Sequence, residues 1–135
     1  MKISEFTERN KKNIIKMSKD KLLQKKSREW FLHSLKYEYS YHFKWLGLPI
    51  IQYPQDIVAF QEIIWKVKPD LIIETGIARG GSLILSASIL QLIGKGQVIG
   101  IDIDIRKENF EKIKSHVLNK RIKMIQGSSI DENTI

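Results

Sequence analysis

The stretch Glu74-Thr-Gly-Ile-Ala-Arg-Gly-Gly-Ser82 concentrates the residue types that could do chemistry. Glycines at such spacing let a backbone turn sharply and let a ligand approach it closely. By itself a glycine-rich turn fits a dinucleotide, a phosphate, S-adenosylmethionine or an ordinary tight turn. No Lys-Ser or Lys-Thr follows the glycines, so the turn is not a P-loop. Gly76-x-Ala78-x-x-Gly81 fits the dinucleotide fingerprint only loosely. Glu74 is the most discriminating residue. A dinucleotide brings its pyrophosphate to this turn, at the positive end of a helix, and a carboxylate there would repel it. S-adenosylmethionine carries an ammonium, a sulfonium and a carboxylate instead. Glu74 would attract the ammonium, while the helix N-terminus and the Ser82 hydroxyl could take the carboxylate.

Two further clusters extend the same reading. In Ile99-Gly-Ile-Asp-Ile-Asp104, Asp102 closes an apolar run 21 residues beyond Gly81. An acid at that distance can accept both hydroxyls of a ribose. Asp104 competes for this role but reads better as a cap or turn residue before the next helix. Gln126-Gly-Ser-Ser-Ile-Asp131 offers small polar groups that could border an adenine or could form an ordinary loop and helix start. His33, His42 and His116 have no metal-ligand spacing and are read as structural.

These clusters need elements to hold them. Leu71–Glu74, Gln97–Asp102 and Ile122–Gln126 read as short apolar strands, alternating with helices over Ser82–Ile93 and Lys107–Leu118. Continuous apolar strands between helices predict a parallel sheet covered on both faces. The expected fold class is therefore α/β, a Rossmann-like doubly wound parallel sheet represented by its first three strands and preceded by N-terminal helices. Upstream, Asp56 to about Val67 reads as a helix burying Ile57, Phe60, Ile63, Ile64 and Val67. Trp45 to Pro54 reads as a turn-rich connector. A helix around Arg28–Tyr41 carries the aromatics Trp30, Phe31, Tyr37, Tyr39 and Tyr41, expected to serve packing.

The formal charge of +8 is concentrated in one place. Residues 1–28 hold ten Lys or Arg against Glu5, Glu8 and Asp20, whereas the other 107 residues hold thirteen basic and twelve acidic side chains. The basic arm reads as helical, with Ile14, Ile15, Met17, Leu22 and Leu23 along one stripe. A nucleic acid or an acidic membrane surface could meet such an arm. No aromatic platform interleaves its lysines, so it reads as a solvated helix face and no nucleic-acid partner is expected. Absence of cysteine excludes disulfides and thiolate metal sites. The longest apolar run, Leu83 to Ile93, is about half the roughly 20 residues of a membrane span. The N-terminus has no apolar signal core, and a cytoplasmic location is expected. The division expected is a basic helical region over residues 1–43 and a cofactor-binding half-domain over residues 44–135.

The motifs resemble the cephalosporin hydroxylase / rhamnosyl O-methyltransferase family. The likeness runs through Lys44-Trp-Leu-Gly-Leu-Pro-Ile-Ile-Gln-Tyr-Pro-Gln-Asp-Ile57, Pro69-Asp-Leu-Ile-Ile-Glu-Thr-Gly-Ile-Ala-Arg-Gly-Gly-Ser-Leu83, Ile99-Gly-Ile-Asp-Ile-Asp-Ile-Arg106 and Gln126-Gly-Ser-Ser129, over roughly residues 37–135. The Glu-x-Gly-x-x-x-Gly-x-Ser pattern is also similar to the catechol-type O-methyltransferases. The resemblance implies that Glu74, Gly76, Gly80 and Ser82 surround the methionine part of S-adenosylmethionine, that Asp102 holds the ribose, that Ser129 borders the adenine and that the Gln52–Gln55 segment lies over the cofactor. It also implies Mg²⁺, held by acids after later strands and lowering the pKa of an acceptor hydroxyl. Asp131 and Glu132 come too early for that role, so neither metal ligands nor catalytic residues are expected within these residues. Family members run on for about as many residues again as this half-domain, so the chain is expected to be the first part of an O-methyltransferase acting on a hydroxyl of a sugar, a lipid-linked glycan in lipid biosynthesis, or an antibiotic-like acceptor. The alternative expectation is a non-catalytic cofactor-binding remnant, or a subunit completed by another chain or by oligomerisation.

Overall fold

A computed structural model describes residues 2–132. The chain parts into two compact units between Tyr39 and Ser40.

The first unit is helical. Helix α1 (Ile3–Lys19) starts where the Glu5 carboxylate accepts the Lys2 backbone N–H at 3.1 Å, and it carries Lys16 and Lys19 in its last turn, where cations suit the helix dipole. Asp20 then leaves helical geometry and caps α2 (Lys21–Ser34), its carboxylate accepting the Leu23 N–H at 2.9 Å. That cap breaks the arm in two without glycine or proline. The helix expected over Arg28–Tyr41 is thus corrected: α2 ends at Ser34, and two 3₁₀ turns, Leu35–Tyr37 and Tyr39–Tyr41, follow, with Glu38 left-handed between them (φ 50°). Trp30 meets Tyr39 edge-on at 5.5 Å, but Trp30, Phe31, Tyr37 and Tyr41 all stay exposed, so the packing expected of this aromatic set is met only in part.

The second unit opens with a hairpin, where the sequence reading expects only a connector. Strand β1 (Phe43–Trp45) pairs antiparallel with β2 (Leu48–Ile50), and Leu46 and Gly47 between them both have positive φ, as a two-residue hairpin turn requires. Pro49 is tolerated within β2 because the ribbon has only two strands. Helix α3 (Pro54–Val67) begins with Pro54 in its first turn and ends at left-handed Lys68. Its inward stripe is Ile57, Phe60 and Ile64; Ile63 and Val67, expected inside, lie off that stripe and stay largely exposed.

Three parallel strands follow in the order β3 (Leu71–Thr75), β4 (Gln97–Asp102), β5 (Ile122–Gln126). Their register aligns Ile72 with Val98 and Ile122, and Glu74 with Gly100 and Met124. Helix α4 (Gly81–Ile93) joins the first pair and stops at left-handed Gly94. Helix α5 (Lys107–Lys114) follows β4; it ends four residues before the expected Leu118, because Ser115 and His116 turn the chain. Leu118 N–H donates to His116 Nδ1 (3.2 Å), and the opposite ring nitrogen lies 3.2 Å from the Leu46 carbonyl, so this histidine ties α5 to the hairpin turn.

One sheet face carries the core: Val98, with Leu83, Ile84, Leu90 and Ile113 from the helices, is fully buried. On the other face Leu71 and Ile73 are 47% and 60% exposed. Cover on both faces, predicted from the apolar strands, is thus only partial on the second face among the described residues: Ile101 of β4 is buried there, but β3 is open. Strand β3 is also a sheet edge there. No helix among the described residues is long and apolar enough to cross a membrane.

Candidate functional site

The carboxyl ends of β3 and β4 meet a loop whose shape is set by backbone bonds. Gly76 takes φ +85°, donates its N–H to the Ile101 carbonyl at 2.8 Å, and leaves the space where a β-carbon would stand clear of other atoms. Ile77 turns inward and is buried, and Ala78 is left-handed at φ 47°. Asp102 pins this loop from β4. Its Oδ2 accepts the N–H of Ile77 at 2.7 Å and of Ala78 at 3.4 Å, while Oδ1 accepts that of Asp104 at 3.0 Å. From α5, Asn109 donates to the Ala78 carbonyl at 2.7 Å. Burial opposes ionisation of Asp102, but bonds from the N–H groups of Asp104, Ile77, Ala78 and Ile103 outweigh it and hold its pKa below the ordinary carboxylate value.

Glu74, next to last in β3, is half-buried, and Ser82 on the first turn of α4 donates its hydroxyl to Glu74 Oε1. Burial raises the Glu74 pKa, and the Ser82 hydroxyl pulls it back only in part. The two residues therefore meet each other, where the sequence reading expects each to face the ligand separately.

Three cavities surround this loop. The first, about 400 Å³, is lined by Gln52, Phe60, Glu74, Gly76 and Ser82 among others. Gln52 Oε1 is buried there without a hydrogen-bond partner. The second, about 350 Å³, shares Ile51 and Ala78 with the first and adds Asp102, Asp104, Arg79 and Arg106. The third, about 210 Å³, shares Thr75 and Gly76 with the first and Asp102 with the second, and reaches Ser128 and Ser129. Glu74, Gly76, Ser82, Asp102 and Ser129 thus line neighbouring cavities around one loop.

Gly80 stands apart from them: it is buried, and a β-carbon on it would meet the Ile113 side chain at 2.5 Å, so α5 packs where its side chain would be. Gly81 is as tight, since a β-carbon there would run into the Pro49 carbonyl of the hairpin. Of the cap or turn role expected of Asp104, it holds the turn: it lies in the loop after β4 with its N–H on Asp102, and Arg106 holds the cap position of α5. Asn109, Arg79 and Arg106 escape the sequence reading altogether. They come from loop and helix positions whose relation to Asp102 only the fold reveals. Among the described residues no three His, Asp or Glu side chains converge as metal ligands.

Residues 37–135 match the family described as Rhamnosyl O-methyltransferase/CmcI. A rhamnosyl O-methyltransferase of Mycobacterium leprae (strain TN) is 33% identical over 60 residues, which is 44% of this chain and 26% of that protein. Among solved structures, apo CmcI is 28% identical with a TM-score of 0.55 over 70% of this chain. CmcI with SAH (S-adenosylhomocysteine) superposes at 0.50 over 64%, and CmcI with Mg-SAM at 0.55 over 70%. The chain spans 39–43% of the length of those CmcI chains.

Proposed function

Since the chain belongs to the rhamnosyl O-methyltransferase/CmcI family, we propose that residues 44–135 form the S-adenosylmethionine-binding half-domain of an O-methyltransferase. The observation that carries this reading is that Glu74, Gly76, Ser82, Asp102 and Ser129 all line neighbouring cavities around open Gly76. The cofactor fits this frame on two counts: the clear space over Gly76, and the buried Gln52 Oε1 that lacks a donor.

In this reading Glu74 faces the ammonium group, and the Ser82 hydroxyl turns from Glu74 toward the methionine carboxylate. Gly76 admits the methionine chain close to the backbone, and Gly80 supports the loop through its packing with Ile113. Asp102 accepts the ribose hydroxyls on lone pairs not already used by the loop, and Ser129 borders the adenine. Gln52 closes the cavity from the far side and accepts a hydrogen bond. When bound, S-adenosylmethionine supplies an electrophilic methyl on its sulfonium. The described residues do not fit Mg²⁺, and no step is assigned to a metal. For the whole protein we take the acceptor to be a hydroxyl of a sugar-type molecule, by likeness to the rhamnosyl O-methyltransferase relative.

Calorimetry with S-adenosylhomocysteine, with NADH as control, tests the reading. Binding of the first and not the second is expected. Binding of NADH alone would overturn it, because Glu74 would then tolerate a pyrophosphate.

A further inference from the structure

The first unit carries a surface that the cofactor site does not use. At about 100° per residue, Ile3, Phe6, Ile14 and Met17 fall on one side of α1. They are 86%, 46%, 65% and 58% exposed, and no residue of α1 is buried. Arg9, Lys11 and Lys16 flank that side, Arg9 lying 5.7 Å over the Phe6 ring, while Lys12 and Lys19 fall opposite it with Glu5, Glu8 and Ile15, which the sequence reading places on the stripe. The helix is both basic and amphipathic, and its apolar side is open.

We propose that α1 lies in the surface of a bilayer containing anionic lipid, its apolar side in the headgroup boundary and the flanking Arg9, Lys11 and Lys16 reaching the lipid charges. Charge selects this occupant over a second copy. Residues 1–28 carry a net +7, and the rest of the chain, with thirteen basic and twelve acidic side chains, has no excess of acid to receive them. Two copies would bring like charges together. A nucleic acid would satisfy the lysines but leave Phe6, Ile14 and Met17 in water, whereas an anionic bilayer takes the apolar side and the cations flanking it together. Seventeen residues make a helix about 25 Å long. Asn10 and Asn13 share the apolar side, which keeps insertion shallow.

The test is flotation of the full 135-residue chain with phosphatidylcholine vesicles containing phosphatidylglycerol, against pure phosphatidylcholine. Partition onto the anionic vesicles should exceed that onto neutral ones by about tenfold or more, and should fall in high salt. Phe6→Gln with Ile14→Gln, and separately Lys11→Gln with Lys16→Gln, should each lower it by about tenfold or more. Glutamine keeps helix propensity, so circular dichroism should show unchanged helicity in both. Flotation of the Phe6/Ile14 variant like wild type would overturn the proposal, since charge alone would then suffice. So would a chain that ignores anionic vesicles, whether it forms a dimer dissociated by the Phe6/Ile14 substitutions or binds RNA unaffected by them.

Discussion

Replacing Asp102 separates two roles that the geometry superimposes on one carboxylate. Asp102→Ala removes the acceptor of four backbone N–H groups, of which those of Ile77, Ala78 and Asp104 lie at 2.7–3.4 Å. A hydrogen bond to a charged group contributes about 1.5–3 kcal/mol, and a buried donor left unpaired costs about 1–3 kcal/mol. The Ala78 contact is long at 3.4 Å, and Ala78, Ile103 and Asp104 are exposed enough for water to replace their partner. Ile77 is buried at 2% exposure, so its N–H carries most of the loss. The expected destabilisation is therefore about 2–3 kcal/mol, and not four full bonds. For a domain of this size that lowers Tm by roughly 10–20 °C. Asp102→Asn keeps one oxygen for the Ile77 N–H and should cost about half as much. If Asp102 also holds the ribose, both variants weaken S-adenosylhomocysteine by about 1–3 kcal/mol, or roughly 5- to 150-fold. Thermal melts read the first role and calorimetry on folded protein reads the second. A lowered Tm with unchanged affinity in Asp102→Ala would refute the ribose assignment and leave Asp102 as a loop anchor. An unchanged Tm would refute the anchoring argument. Because the loop bonds depress the Asp102 pKa, its stabilisation is present above the ordinary carboxylate value of about 3.9 and fades as pH falls through the lowered one. Asp102→Asn should flatten that acid limb of the stability curve.

Glu74 has the opposite sign. Burial raises its pKa, so its contribution is present at low pH and lost as pH rises through the raised value; Glu74→Gln should therefore raise the neutral-pH Tm of the ligand-free protein while weakening S-adenosylhomocysteine, both checked by melts with and without ligand. Gly76→Val should abolish ligand binding, since it fills clear space and forces φ +85° on a β-branched residue at a cost of about 1–2 kcal/mol or more; titration calorimetry on folded variant decides it. Ile73 is 60% exposed on edge strand β3, so the 135-residue polypeptide should self-associate and Ile73→Lys should reduce this. Light scattering that finds a monodisperse monomer before substitution would refute the edge argument.

The strand boundaries β4 and β5 and the turn residues of the loop were legible because each rests on local chemistry. An apolar run, a glycine at positive φ and an acid at a strand end are all written in neighbouring residues. The hairpin was not legible, since Leu46-Gly47 between three-residue strands resembles any irregular turn until β2 is seen to bury Leu48 and Ile50. The break at Asp20 was equally hidden: a single capping carboxylate divides what periodicity alone joins. The open second face of β3 was missed for a different reason, because apolar strands report the burial a face requires and not what supplies it.

The site repeats this division between local and distant causes. Glu74, Gly76 and Asp102 could be named from spacing, but their couplings run across 8 residues from Glu74 to Ser82 and 25 from Ile77 to Asp102. Gly80 shows the consequence. A motif glycine invites a ligand-contact reading, yet its missing β-carbon makes room for Ile113, 33 residues away and on another helix. The same loop is held by Asp102 from β4 and by Asn109 from α5. Loop shape, and with it the clear space over Gly76, therefore depends on α5 docking against the β3–α4 turn. A ligand held by Asp102 would bind the carboxylate that also orients the loop beside it, so binding and local order should rise together.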